Sequence, residues 1–198
     1  MSKLPPAISN SLLALLRLVV IWQFAMLPLA VDGGAPNPKL VSESELKVAF
    51  LPKFSLFVQW PAGTFKTERD PIIIGFIGGS EFVPQLKTAI AGRAVAGREL
   101  KVLACRDVDD ARHCHIVYLV GGSPQSVRET LRQLAGSNVL TVGDARDFAN
   151  LGGMVSLITD SRKVRLEVNL EEIQRAELRI DPQLLQLATT VKTASGSR

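Results

Sequence analysis

Only two cysteines, two histidines and one tyrosine occur among the 198 residues. That scarcity closes off most metal and nucleophilic chemistry. Cys105, His113, Cys114 and His115 are the four cysteine and histidine candidates for a zinc ion. They lack C-x-x-C or H-x₃-H spacing, and adjacent strand residues point to opposite faces, so they do not converge on one ion. No metal site is expected. There is no G-x-S-x-G elbow and no Cys–His arrangement with an orienting group. A Walker Lys-Ser/Thr and a complete G-x-G-x-x-G are also missing. Catalytic residues and cofactors are therefore not expected. No basic run interleaves with aromatics, which make up 6% of the chain. A nucleic-acid footprint is excluded on that ground. Internal repeats and low-complexity tracts are absent as well.

What is present begins at the N-terminus. Lys3 and Arg17 are the only charges before Asp32, and residues 12–31 are almost all apolar. The run exits through Leu29-Ala30-Val31 into Gly33-Gly34-Ala35. A basic start, an apolar stretch and a small-residue exit describe a secretory signal peptide over residues 1–31. A retained membrane anchor is the alternative, but residues 18–31 fall short of the roughly 20 apolar residues of a full span. Both place the rest of the chain outside the cytoplasm. Without Lys3 and Arg17 the net charge falls from +4 to +2, with 21 basic against 19 acidic side chains. The Gly- and Pro-bearing residues 32–41 read as a linker, residues 42–191 as one α/β domain, and residues 192–198 as a polar, frayed tail.

Export would put Cys105 and Cys114 in an oxidising compartment, where only one intramolecular pairing exists. Cys105 ends one expected strand and Cys114 begins the next. Parallel strands would hold these ends too far apart, whereas a link that folds back would bring them together. Both arrangements stay open.

Along the domain, Ser42-x-x-Glu45 has the form of a capping box. Leu46, Phe50, Phe54 and Phe57 make one apolar stripe, so a helix is expected to about Gln59, kinked at Pro52 and ended by Trp60-Pro61. Pro71–Ile77 is a continuous apolar run, the pattern of a strand covered on both faces. Gly78-Gly79-Ser80 follows, with Ser80 as expected N-cap of a helix over 81–90. Gly92–Arg98 reads as a connection. Strands are expected over 99–104, 115–120 and 139–142, with a polar turn of helix over 107–112. Ser123-Pro124 is a strong helix start. Asp144 and Asp147 follow a strand end, where α/β folds place ligands, although Asp144 reads more simply as the N-cap of the turn 145–150.

Residues 140–170 organise the rest. Met154–Ile158 and Val164–Asn169 are β-rich runs around a polar turn, which is a hairpin signature. Val164, Leu166 and Val168 share one face; Arg165, Glu167 and Asn169 share the other. Asn169 and Asp181-Pro182 then start two helices, the second over Gln183–Val191. The expected fold is an α/β three-layer αβα sandwich, with a mostly parallel sheet closed by this C-terminal β-hairpin.

Five segments in order carry a resemblance: Phe54-x-x-Phe57-Val58-x-Trp60-Pro61; Ile74-Gly75-Phe76-Ile77-Gly78; Cys114-His115-Ile116-Val117-Tyr118-Leu119; Leu140–Asp144 with Gly152-Gly153-Met154; and Val164-x-Leu166-Glu167-Val168-Asn169-Leu170 with Leu184-Leu185-x-Leu187-Ala188. Together they resemble the YfiR-like family of periplasmic regulators, over about residues 43–191. The resemblance implies a non-catalytic protein that binds the periplasmic sensor domain of an inner-membrane diguanylate cyclase and represses it. Cyclic di-GMP would then be low, and loss of the contact would favour biofilm. It also implies that Val155, Glu167 and Ile173 touch the partner. Cys114 matches a family cysteine, whereas Ala149 and Ser156 stand near where the family has others. A periplasmic small-molecule binding module serving another membrane sensor, built on the strand ends at Gly78–Ser80, Gly121–Ser123 and Gly143–Asp144, is the alternative function. A homodimer is left open.

Overall fold

Five residues of high β propensity around Gly75 make the first long strand of the sheet. Ile72–Ile77 forms β2, and parallel neighbours flank it on both sides, β4 (Arg98–Cys105) and β5 (Ile116–Leu119). The computed structural model describes residues 43–160 and 163–193. The expected signal peptide, linker, Ser42 and the last tail residues lie outside the described residues.

From the N-terminus the elements are α1 (Glu43–Val48), α2 (Leu51–Phe57), β1 (Val58–Gln59), β2, α3 (Phe82–Ile90), β3 (Ala94–Val95), β4, α4 (Val108–Arg112) and β5. Then come α5 (Pro124–Leu134), β6 (Leu140–Gly143), β7 (Val155–Asp160), β8 (Lys163–Asn169), α6 (Leu170–Arg175), β9 (Arg179–Ile180), α7 (Pro182–Leu187) and β10 (Ala188–Lys192). The main sheet has eight strands in the order β10-β8-β7-β6-β5-β2-β4-β3. Strands β4, β2, β5, β6 and β7 run parallel; β7/β8 and β3/β4 are antiparallel pairs, and β10 lies parallel to β8. Strands β1 and β9 form a separate antiparallel pair, Val58 opposite Ile180.

Alternation along β5 separates two apolar layers. Ile116 and Tyr118 face a core that includes Leu51, Phe54, Leu86, Leu157, Val168, Ile173 and Leu184, supplied by α2, α3, α6 and α7. Val117 and Leu119 face a second core with Ala111, Val127, Leu131, Leu134 and Phe148, supplied by α4 and α5. All four β5 residues are buried. Burying each such side chain contributes about 1.5–3 kcal/mol, which explains why the central strands are apolar on both faces. The fold is thus α/β, a mixed and mostly parallel sheet flanked by helices.

Local chemistry explains where the chain departs from expectation. The first helix is two helices. Pro52 sits in the first turn of α2, where its missing N–H is harmless, and the break falls at Ala49-Phe50. Ser80 does not cap α3 with its side chain; the N-cap is Glu81. The connection at Gly92–Arg98 contains a tight hairpin. Ala96 and Gly97 take φ of 50° and 79°, and Val95 pairs with Arg98 across them. The hairpin β7/β8 does not close the sheet, because β10 adds a strand beyond β8. That strand replaces the second half of the expected helix over Gln183–Val191. Thr189, Thr190 and Val191 are β-branched and lose χ1 freedom in a helix, so the chain turns extended after Leu187.

The link from β6 to β7 is held by one ring. Phe148 is fully buried. A Cβ on Gly153 would lie 2.1 Å from its Cε1, and one on Gly143 2.4 Å from its Cε2. Both glycines are therefore dictated by the ring lying against their backbones. Gly153→Ala should destabilise the domain by about 2 kcal/mol through overpacking. Adding Phe148→Leu should recover part of that loss, since the two sites share one contact. Urea unfolding of the two single variants and the double variant measures the coupling, and strictly additive losses would refute it.

Candidate functional site

At the C-terminal ends of the parallel strands a lysine is taken out of water. Lys47, on α1, is 6% exposed. Its Nζ lies 2.5 Å from Glu43 Oε1, one helical turn back, and 3.3 Å from Asp144 Oδ2, just after β6. Asp144 also accepts from the Gly121 amide at 3.0 Å. It therefore ties α1 to the turn after β5 and does not cap the turn 145–150. Burial, together with the Asp144 carboxylate that its hydroxyl meets, pushes Tyr118 well above the usual tyrosine range. Glu43 is held below the ordinary glutamate value by its bond to Lys47 and by Thr159.

A cleft of about 340 Å³ opens beside this cluster, and it joins two features that the sequence keeps apart. Asp144 and Asp147 line it from the β6 end, and Ile158, Thr159 and Glu167 line it from the hairpin. Cross-strand register places Ile158 opposite Arg165 and Ser156 opposite Glu167. Val155, Leu157, Leu166 and Val168 share the core face. Of the three residues expected at a partner, Glu167 is half-buried at this cleft. Val155 and Ile173 are 0% and 1% exposed, inside the core. Their side chains do not reach the surface; they back the hairpin and pin α6 beneath it. Ile158, 38% exposed, and Arg165, exposed, accompany Glu167. Ile158 has no periodic signal of its own in the sequence, since an exposed strand isoleucine reads like a core one.

The cysteines meet. Helix α4 folds the link back, N-capped by Asp107, which accepts from the Asp110 amide. Sγ of Cys105 and Sγ of Cys114 are 3.8 Å apart, both as free thiols. Gly75 lies between them on β2, and a Cβ there would come within 2.6 Å of Cys114 Sγ. The shared hydrogen bond lowers the Cys105 thiol. It raises that of Cys114, which burial raises further.

At the other end of the strands, His113 is exposed, while His115 is built in. The Ile73 amide donates to its Nδ1 at 3.0 Å. Phe65 stacks on the imidazole at 4.5 Å and 5°, and Trp60 meets both rings edge-on. Arg98 covers the opposite face of Phe65 at 3.9 Å and donates to the Thr67 and Asp70 carbonyls. Burial, aided by Arg98, pulls the His115 pKa down to about 4. No cluster of three or more His, Cys, Asp or Glu suited to a metal occurs among the described residues. No helix among them is long and apolar enough to cross a membrane.

The fold is a two-core α/β domain with the Lys47–Asp144 pair and the hairpin patch at one end of its strands and the His115 cluster at the other. The YfiR/HmsC-like family profile matches residues 44–189, and the chain belongs to that family. The family is regulatory and periplasmic, and acts in diguanylate cyclase signalling. Two solved structures are similar in part. A conserved domain protein of Vibrio cholerae O1 biovar El Tor shares 14% identity at a TM-score of 0.46, over 62% of this chain and 55% of its own. An ABC domain from Streptococcus pneumoniae, solved with L-Trp, shares 13% at 0.44, over 61% and 55%. This chain spans about half the length of each, and at these values neither bears on function.

Removing one member of a buried ion pair leaves the other charge stranded, at a cost of about 3 kcal/mol. Lys47→Met should destabilise the domain by roughly that amount, because Asp144 is then left with no cation. Lys47→Met combined with Asp144→Asn should cost less than the single change. Thermal and urea unfolding check both expectations.

Proposed function

We propose that this protein is a non-catalytic periplasmic regulator that binds the periplasmic sensor domain of an inner-membrane diguanylate cyclase, holds it inactive and so lowers cyclic di-GMP. Membership of the YfiR/HmsC-like family over residues 44–189 carries this reading. The hairpin supports it physically. Ile158 is an apolar contact flanked by charges of both signs, Arg165 and Glu167, on the face opposite the core. A small apolar centre with a charged rim suits a reversible partner, with the charges fixing register. Repression requires that the regulator bind the inactive sensor more tightly than the active one; equal affinity would shift nothing. Export by residues 1–31 belongs to the same proposal. The small-molecule alternative at the strand C-terminal ends is not adopted, because Lys47, Asp144 and the Gly121 amide there are spent on one another.

Capture from solubilised membranes tests the contact. The exported chain should retain a diguanylate cyclase, and Glu167→Lys or Ile158→Glu should reduce retention at least about tenfold. The same variants should raise cellular cyclic di-GMP toward the level of a deletion strain. Retention and cyclic di-GMP unchanged in both variants would sink the hairpin assignment. No cyclase retained by the unaltered chain would sink the function.

A second part of the proposal is that Cys105 and Cys114 pair in the periplasm. Thiol titration of the unfolded chain should count no free thiols in material from the periplasm and two after reduction. Two free thiols before reduction would refute the pairing. The observation behind this pairing is that the two Sγ atoms lie 3.8 Å apart beside Gly75.

A further inference from the structure

A cleft of about 460 Å³ opens at the N-terminal ends of β2 and β5, across the sheet from the Asp144 cluster. Its lining is rich in hydrogen-bond donors. Lys66 and Arg112 bring positive charge, and Asn138, His113 and His115 border it. The one acid in the lining, Asp70, is already spent. Its carboxylate accepts from the Lys66 amide at 2.7 Å, the Thr67 amide at 3.1 Å and the Thr67 hydroxyl at 2.6 Å. Those bonds hold it below the usual aspartate range, so it stays ionised and engaged. Its charge remains, but three of its acceptor positions are taken by the loop itself.

His115 supplies the directional group. The Ile73 amide donates to Nδ1, so Nδ1 is an acceptor and the proton of the neutral ring sits on Nε2. Nε2–H has no acceptor among the described residues. Phe65 and Trp60 hold the ring in place, so the donor is preorganised. Arg112 donates one terminal nitrogen to the Gln133 carbonyl and sits 3.7 Å from Asp109 through Nε as an ion pair, which leaves further guanidinium donors unspent. Thr64 also lines the cleft, with its hydroxyl oxygen buried and without a partner. A buried hydroxyl left unpaired is costly, and a ligand that moves the loop 61–70 would relieve it.

We propose that this cleft binds a small anion through carboxylate or phosphate oxygens, held by Lys66, Arg112 and the Nε2–H of His115. Two cations beside a fixed neutral donor outnumber the one carboxylate of the lining, which is bonded to its own loop, and so favour negative charge; the size admits a compact metabolite. The site is separate from the hairpin and does not rest on the cyclase contact.

The test uses ¹⁵N-labelled chain recovered from the envelope of the producing cell, in which His113 and His115 are the only histidines. Long-range ¹H–¹⁵N spectra at neutral pH should show His115 as the Nε2–H tautomer; an Nδ1–H tautomer overturns the proposal. Inorganic phosphate and succinate are then titrated separately. A saturable shift of the His115 nitrogens by either probe supports the site and tells which oxygen chemistry it prefers. No saturable His115 shift with either probe up to about 10 mM overturns it, as does a shift confined to His113. Lys66→Gln and Arg112→Gln, both changes of exposed side chains, should each weaken the apparent Kd about tenfold. Affinity within twofold of the unaltered chain in both variants overturns the assignment.

Discussion

Phe148 is the ring on which the two halves of the sheet depend. Strands β6 and β7 run parallel, yet the eleven-residue link between them contains no helix. A parallel crossover normally needs a helix to cover the sheet face it passes. Here one phenyl ring does so, filling the core under α5 while lying against Gly143 and Gly153. The link is tightened around it by backbone bonds, with the Gly153 amide on the Phe148 carbonyl at 2.9 Å. Two side chains complete the join. The Met154 amide donates to Thr141 Oγ1 at 3.1 Å, and Asn169 Nδ2 donates to the Ala149 carbonyl at 3.0 Å. Asn169 also caps α6. One buried asparagine thus couples the link, the end of β8 and the start of the helix that carries Ile173.

Everything at the C-terminal edge is held to that join. Asp144 is the first residue of the link, and its partners come from α1 and from the turn after β5. A buried ion pair of this kind is weak evidence for stability, because desolvation offsets much of the attraction. Its physical use is geometric: a lysine held between the Glu43 and Asp144 carboxylates fixes where α1 lies against the sheet ends. Glu167 and Ile158 border the same cleft, so the hairpin patch is presented from a base braced on both sides.

Much of this is written in the sequence as pattern. Continuous apolar runs at Ile72–Ile77 and Ile116–Leu119 announce buried parallel strands, and Ser123-Pro124, Asn169 and Asp181-Pro182 mark helix starts that the hydrogen bonds reproduce. What the pattern does not carry is competition between distant groups. Thr189-Thr190-Val191 follows an apolar helical stripe, and its β-branched residues become a strand where the edge of β8 is open to pair with them. Asp144 reads as a local cap because Lys47 is 97 residues away in sequence. His115 reads as an ordinary strand residue; its stacking on Phe65 and its bond to Ile73 depend on the loop 61–70 folding back over the strand start. Gly153, in the Gly152-Gly153-Met154 run, carries its reason only once Phe148 is placed beside it.

The two ends of the sheet share one strand, and that bounds how they could act on each other. β5 begins beside His115 and ends at Leu119, one residue past Tyr118, whose hydroxyl meets Asp144. All four of its residues are buried and paired on both edges, to β2 and β6. Close-packed interiors switch between discrete arrangements and do not deform continuously, so such a strand offers no second position of small cost. Coupling between sites needs an element with two states that both sites bias. The element with freedom at the histidine end is the loop 61–70, which is exposed along Lys66–Arg69 and hangs on Arg98 and Asp70. That loop continues from β1, whose partner β9 follows α6. The His115 cleft and the hairpin are also joined around the sheet, through β1, its partner β9 and α6 to Asn169.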